Sequence, residues 1–462
     1  NVFTRRAEGF EGFRRAAAAK LGPRFTLDRT ALEDVSEDRS GLGGVLPRAV
    51  VKAASRDDVV AVAEIADRFG VGIVPRGAGT GKVGGAIPGG NDVVLDLSAM
   101  RDVLHWAPDD HYAVVQPGIT AAQLDREAAL RGLMYPPDPA SWERATLGGN
   151  IATNAGGPRA LKYGVTGRYI WGLELVLAGG RVVRCGRRSL KGVTGLGITS
   201  LVVGSEGTLG IVTEATVHLI PRPTFVEGAW FELPDVLAAE QLARRIFKNG
   251  AVPRCLELID AEALDALRDQ HRVPGSSPVA VHLELDGATD AVGQEMGRLC
   301  EALAEVTIHR ARDEEEREWF RRVRRSASEA LRSRFPQKLS DDIAVPRSQM
   351  QSFLEQAHAL ARSRGVRIAA YGHLGDGNLH LNRLAATEDE RRRAESLRAE
   401  FLQLTLALGG TLTAEHGIGL TKRDELWREQ SPELIELQRA VKQAFDPRGI
   451  MNPGKVLPEV SR

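Results

Sequence analysis

Apolar positions change their period several times along this chain, and each change marks a predicted element. Residues 10–21 read as a polar, alanine-rich helix, and an irregular stretch rich in Asp, Ser and Gly follows. From Ala49 onward short apolar runs predict strands over 50–53, 71–74, 93–97 and 113–115. Ser55 and Asp58 stand at the N-cap and N3 positions of a capping box, which starts a helix running to Phe69. Thr120 caps a second helix over 120–131, and strands at 172–177, 181–185 and 210–219 complete this part. The alternation is α/β in character. Pro221 and Pro223, on either side of Arg222, mark a domain boundary.

Beyond that boundary the pattern predicts a strand at 228–232, a helix at 237–249 and strands at 255–259 and 279–284. A helix over 286–304 and a strand at 307–310 follow, an order that suits an antiparallel, ferredoxin-like sheet. Helices at 347–364 and 388–408 flank the segment 371–382, and a tail helix at 432–445 leads into DPRGIMNPG. The class is therefore α+β, with domains expected over 1–222 and 223–425 and a C-terminal helix and tail over 426–462.

Segment 371–382 reads YGHLGDGNLHLN. Its Gly-Asp-Gly-Asn core is hairpin chemistry, because Gly and Asn accept positive φ at little cost. With Leu374 and Leu379 on the two arms, His373 and His380 are expected to face each other across the hairpin. Opposed Cβ atoms roughly 4.5–5.5 Å apart suit two imidazoles sharing a metal. Downstream, Glu415 beside His416 offers a carboxylate, and two His with one carboxylate make an open divalent-metal site. Either histidine alone would be an ordinary strand-end residue.

Composition narrows the choice further. At 462 residues the chain is too long for one ordinary core. Its 61 basic and 61 acidic residues leave no overall field for nucleic acid or an anionic membrane. Basic runs at 321–325 and 391–393 read as solvated helix faces. Cys185, Cys255 and Cys300 are far apart and form no Cys-x-x-Cys, so neither a four-cysteine cluster nor a disulfide framework is expected. No apolar leader and no transmembrane-length run is visible. A cytoplasmic protein, or one peripheral to the inner membrane, is the expectation.

Two glycine-rich regions remain. Pro75, Arg76, Gly77, Ala78, Gly79, Thr80 and Gly81 follow directly on a predicted strand, where backbone N–H groups can converge on a phosphate. Residues 79–84 formally match G-x-G-x-x-G, but the following GAIPGG cannot open the helix that a Rossmann site requires. The second region, 136–157, supplies hydroxyls at Ser141, Thr146 and Thr153 and backbone donors around Gly148, Gly149 and Asn154. Two such loops in one domain could clamp a ligand carrying two phosphates.

PRGAGTG, the stretch PPDP…ATLGGNIATNAGGPRALKYGVTGRYIWGLELVL and GSEGTLGIVTEATVHLIP together resemble the flavin domain of the vanillyl-alcohol oxidase family. YGHLGDGNLH, AEHGIG and FDPRGIMNPGK resemble its D-2-hydroxyacid dehydrogenase branch, from about residue 49 to the C-terminus. The resemblance implies a two-subdomain FAD-binding domain followed by an antiparallel-sheet substrate domain, with the tail returning to the FAD domain. It implies that residues 75–81, Pro137, Asp138, Ser141, Thr146, Gly148, Gly149, Asn150, Ala152, Thr153, Asn154 and Gly156 hold the FAD pyrophosphate. Glu206, Gly207, Gly210 and Ile211 would line the adenosine and isoalloxazine, and Asn452 the flavin edge. Lys82-Val83 stand where similar proteins have Leu-Ser, which removes one hydroxyl. Neither glycine region offers a His or Cys for attachment, so non-covalent FAD is expected.

The implied chemistry is oxidation of a 2-hydroxy acid of the D-lactate or glycolate type, with D-2-hydroxyglutarate or another alcohol as alternatives. His416 is the expected general base. His373, His380 and Glu415 are the expected ligands of Zn²⁺ or Mn²⁺, which imidazoles suit better than Mg²⁺. By the same resemblance Arg324 would clamp the substrate carboxylate, and Lys338 and Asn382 would touch a second carboxylate or hydroxyl, while Ser328 stands where the 2-hydroxyglutarate branch often has Thr. Without cluster cysteines, electrons are expected to leave to a quinone, an electron-transfer flavoprotein, a separate iron–sulfur subunit or oxygen. A homodimer is compatible with all of this.

Overall fold

The structure is a computed structural model that describes residues 2–459, with side chains from residue 9 onward. The chain forms two compact units, one of Asn1–Gly157, Val165–Arg222 and Glu415–Arg462, the other of Pro158–Gly164 and Pro223–Ala414. The break between Arg222 and Pro223 lies in the proline-marked stretch, and the chain re-enters the first unit at Glu415 rather than after residue 425. Pro158–Gly164 belongs with the second unit because Lys162 and Tyr163 both reach Asp286, at 2.5 and 2.7 Å.

The first unit opens on a helix over Val2–Leu21, longer than the predicted one. A four-stranded sheet follows, in the order Phe25–Thr26, Ala49–Lys52, Val93–Asp96, Ile73–Arg76, with the last three strands parallel. Alternation sorts its side chains. Val51, Ile73, Val93 and Leu95 pack with Val59, Val62 and Ala66 of the helix Arg56–Phe69, while Val50, Val74 and Val94 pack on the other face. That helix starts at the predicted capping box, with Ser55 and Asp58 each accepting from the other's backbone. A five-stranded antiparallel sheet completes the unit, in the order Val103–Ala107, Tyr112–Val115, Ile211–His218, Ile170–Val176, Val182–Gly186. Val103–Ala107, reading VLHWA, was not predicted, because His105 interrupts its apolar residues.

The second unit is built on one seven-stranded sheet. Its order is Thr307–Arg310, Phe225–Leu233, Val279–Gly287, Cys255–Ile259, Arg367–His373, Asn378–Leu384, Leu339–Ala344, with every neighbouring pair antiparallel. It is larger than the ferredoxin-like sheet expected. The added edge strand Leu339–Ala344, sequence LSDDIA, hides behind two adjacent aspartates. One face carries Leu256, Leu258, Val281, Leu283, Leu379 and Leu381, packed beneath helices that include Val236–Lys248 and Met350–Ser363. The predicted helix 388–408 is two helices, Glu388–Ser396 and Arg398–Ala407, with Leu397 between them.

Candidate active site

The opposite face of that sheet holds the polar residues. In the strand pairing, Glu257 stands opposite both His282 and His373, and His380 opposite both Tyr371 and Asp342. Partners in register share a face, so these side chains form two adjacent rows on it, His282–Glu257–His373 and Tyr371–His380–Asp342. His373 pairs with Asn378, not with His380, so the two histidines are diagonal neighbours rather than directly opposed. The reason is the turn: residues 374–377 form it, and Leu374 lies in the turn instead of on an arm. The rings still meet edge to face, 5.5 Å between centroids.

Each of these imidazoles rests against a buried carboxylate. His373 Nδ1 lies 2.6 Å from Glu257 Oε1, and His380 Nδ1 lies 3.5 Å from Asp342 Oδ1. A carboxylate only accepts, so His373 Nδ1 donates to Glu257 across the 2.6 Å contact. Asp342 also accepts from Asn378 Nδ2 at 2.8 Å and from the backbone N–H of Ala414 at 3.1 Å. The next residue along the chain is Glu415. Nothing in the sequence pointed to Glu257 or Asp342, because their partners lie far away in the chain and only the strand pairing joins them.

The helix Glu314–Arg325 delivers arginines to this face. Arg321 and Arg324, three residues apart, point inward with Phe320 and Val323, while Arg322 and Arg325 stay exposed. The basic run is therefore not wholly a solvated face. Arg324 Nη2 is 2.7 Å from Glu257 Oε2, and its guanidinium lies 4.9 Å from the Tyr371 ring centroid. Its Nε is buried with no acceptor among the described residues. Burial pushes Glu257 toward neutrality, but His373 and Arg324 outweigh it and hold its pKa below the usual carboxylate value.

Lys338 Nζ is 2.8 Å from Asn382 Oδ1, 2.9 Å from Ser340 Oγ and 3.5 Å from Ser328 Oγ, so Lys338 and Asn382 lie together with two serines. Cys255, His282 and Glu284 also lie together, with ligand-type atoms within 4.8 Å of one another. Arg321 at 2.7 Å and Arg254 at 3.4 Å already neutralise Glu284, so this trio is a salt-bridge cluster rather than a cation site.

In the first unit, the loop after strand Ile73–Arg76 is a cradle of free amides. None of the backbone N–H groups from Gly77 to Gly81 has a protein acceptor among the described residues. A methyl on Gly77 would lie 2.1 Å from Thr146 Oγ1, and one on Gly207 2.6 Å from Pro75 Cγ, so the surrounding backbone closes tightly on these positions. An unfilled row of donors beside glycines of this kind fits the pyrophosphate of FAD. Arg76 is buried beneath the loop and donates to the carbonyls of Val35 and Ala86, each at 3.4 Å.

The second glycine region is not a loop throughout. Thr146 caps a short helix, Leu147–Thr153, and Asn154 ends it in the left-handed region at φ 50°. The amides expected to be donors are already used: Gly148 N–H reaches Pro117 O at 2.8 Å, and Gly149 N–H reaches Thr146 Oγ1 at 3.3 Å. Thr153 Oγ1 donates back to Gly149 O, and Asn154 Oδ1 accepts from Gly167 N–H. Two adjacent glycines read as a turn; the capping Thr146 was the signal for the helix.

Two further predicted residues of this unit, Glu206 and Asn452, meet. Glu206 holds a positive φ of 53° and accepts from the amides of Ile418 and Gly419 at 2.7 and 2.9 Å. Burial pushes its carboxyl up to about 7 in spite of those donors. Asn452 Nδ2 donates to Glu206 O at 2.7 Å and to Gly85 O at 3.0 Å, which brings the tail to the cradle. His416 sits on the loop that Glu206 anchors, and Glu415 Oε1 would be 2.9 Å from a methyl placed on Gly156.

Comparison with known proteins agrees with this arrangement. Residues 47–186 match the family model "FAD binding domain", and residues 222–456 match "FAD linked oxidases, C-terminal domain". The chain is 37% identical over 424 residues to glycolate oxidase subunit GlcD of Bacillus subtilis, covering 90% of each. It is 34% identical to D-lactate dehydrogenase of Archaeoglobus fulgidus, covering 89% of this chain and 93% of that one. D-2-hydroxyglutarate dehydrogenase of Stutzerimonas stutzeri is 32% identical, with 89% and 91% covered. Among solved structures, p-cresol methylhydroxylase superposes with a TM-score of 0.81 at 18% identity, over 98% of this chain and 97% of that one. Among the described residues no helix is long and apolar enough to cross a membrane. Fold and sequence together place the chain among the FAD-linked oxidases of the vanillyl-alcohol oxidase and p-cresol methylhydroxylase family.

Proposed function

We propose that this oxidoreductase converts a 2-hydroxy acid of the glycolate or D-lactate type into the 2-oxo acid. The observation that carries the reading is the pair of imidazoles, His373 and His380, each with Nδ1 against a buried carboxylate. Glu415 is the third ligand on this reading, and Zn²⁺ or Mn²⁺ the metal. Such an ion supplies Lewis acidity toward the substrate's hydroxyl and carboxylate oxygens. FAD, held by the Gly77–Gly81 amides, supplies the acceptor for the hydride that leaves the α-carbon. His416 removes the 2-hydroxyl proton, leaving the carbonyl of the product. Arg324 orients the substrate carboxylate, for which its buried Nε is a donor in waiting. On this reading the electron acceptor would be a quinone, an electron-transfer flavoprotein or a separate iron–sulfur subunit. A longer substrate such as D-2-hydroxyglutarate is the second reading, favoured by the Lys338 ammonium among Ser328, Ser340 and Asn382.

Substitution separates metal from base. His373→Asn, His380→Asn and Glu415→Gln are expected to strip the metal and abolish turnover while flavin content stays near normal. His416→Asn is expected to keep both metal and flavin and to lose roughly 10²–10⁴-fold in turnover. Elemental analysis and flavin absorbance of the four variants decide between the roles. Loss of metal in His416→Asn with retention in Glu415→Gln would reverse the assignments of Glu415 and His416.

A further inference from the structure

The loop between Gly186 and Ile198 takes no part in the chemistry above and lies between the two stretches that carry the family match. It leaves the edge strand Val182–Gly186 of the five-stranded sheet and enters the short helix Ile198–Val202. Its shape is set from within. Arg187 Nε donates to Ser189 O at 3.0 Å, and Ser189 Oγ donates to Lys191 O at 2.7 Å. Thr199 Oγ1 lies 3.4 Å from Cys185 Sγ and pins the two ends together. The side chains projecting from this closed loop are large and apolar: Leu190 is 71% exposed, Leu196 86% and Val193 98%.

The charge around them has one sign. Arg181, Arg184, Arg187, Arg188 and Lys191 stand in this segment, and no Asp or Glu lies between Glu174 and Glu206, both of which are buried. Arg184 pairs with Glu174 at 2.5 Å, and Arg187 is engaged in shaping the loop. Arg181, Arg188 and Lys191 form no ion pair among the described residues. In a chain of formal net charge +0 this is a local concentration of cations.

We propose that this loop docks the protein on the surface of an anionic lipid bilayer, with Leu190, Val193 and Leu196 entering the acyl boundary. Arg181, Arg188 and Lys191 would then face the headgroups. Apolar tips flanked by cations are what such a surface recognises, and each basic residue adds attraction that salt screens. A protein partner is less well served. Protein hot spots are built on Trp, Tyr and Arg in preorganised pockets, whereas this loop is tipped by Leu and Val and rich in glycine. The inference does not depend on the substrate reading above.

The test is co-sedimentation of the flavin-loaded full chain with phosphatidylcholine vesicles, with and without phosphatidylglycerol. Binding is expected only to the anionic vesicles and is expected to fall as salt rises. The Val193→Asp, Leu196→Asp double variant should lose at least roughly tenfold in partitioning, because two exposed apolar side chains no longer leave water. Arg188→Glu with Lys191→Glu should erase the preference for anionic lipid. Flavin content and turnover in solution should be unchanged in both variants, which certifies their folding. Failure of the native protein to bind anionic vesicles overturns the proposal, as does equal binding to uncharged ones. Undiminished binding by the Asp double variant overturns it too.

Discussion

Glu257 faces two partners at once, His373 on one carboxylate oxygen and Arg324 on the other. Replacing it with Gln keeps the shape but no longer dictates which ring nitrogen of His373 carries the proton. On the proposed metal reading, Glu257→Gln is expected to weaken metal affinity by roughly 10–100-fold. It should also raise KM, since Arg324 loses the anion that aims it. Metal titration alongside steady-state kinetics checks this; unchanged affinity would leave Glu257 with a packing role only. Asp260 is a different kind of buried acid. It caps the helix Ala261–Arg268 and accepts from Ala370 N–H at 2.5 Å, yet burial pushes its carboxyl up to about 7. Its folded pKa lies above the ordinary value of about 3.9, so the folded state holds the proton longer. Its contribution to stability is complete below pH ~4 and declines as pH rises to about 7. Asp260→Asn should flatten that slope in urea denaturation run from pH 4 to 7, and an unaltered slope would place its origin elsewhere. At this scale His373, His380 and His416 were visible in the sequence as candidates, because hairpin and glycine punctuation surround them. Glu257, Asp342 and Asp260 were not, since a buried acid in a strand has no local signature.

Caps and turns decided which elements could be foreseen. Ser55 with Asp58, and Thr120, announced their helices because capping is a short-range pattern. Leu147–Thr153 obeyed the same rule through Thr146, but its two glycines masked it. The hairpin at 371–382 was recognised while its register was displaced, since a turn of residues 374–377 moves each arm by one position. The contact between the Gly77 loop and Thr146 binds two of these elements together. Gly77→Ala places a methyl 2.1 Å from Thr146 Oγ1, so either the amide cradle or the cap must shift. Flavin content per chain, read from absorbance, is expected to fall several-fold, while metal content is retained. A Gly77→Ala protein with full flavin content would mean that the loop yields without losing its grip.

For the molecule as a whole, the Arg222–Pro223 break was visible as a proline cluster, but the return at Glu415 was not, because composition does not change there. The cradle is held within one unit by Asn452, Glu206 and Pro75, and the histidine pair within the other by Glu257 and Asp342. On the proposed metal reading, exhaustive dialysis against a chelator is expected to remove metal and turnover together while the flavin spectrum persists; simultaneous loss of flavin would overturn that expectation. The seven-stranded sheet adds a consequence for engineering. Alternate residues of its central strands serve opposite faces, so Leu256, Leu258, Val281 and Leu283 insulate the hydrophobic packing from Glu257 and His282. Random libraries at the paired positions Ser340 and Asn382 would leave this packing untouched and avoid the second apolar cluster on the same parity, which includes Trp230 and Ile259.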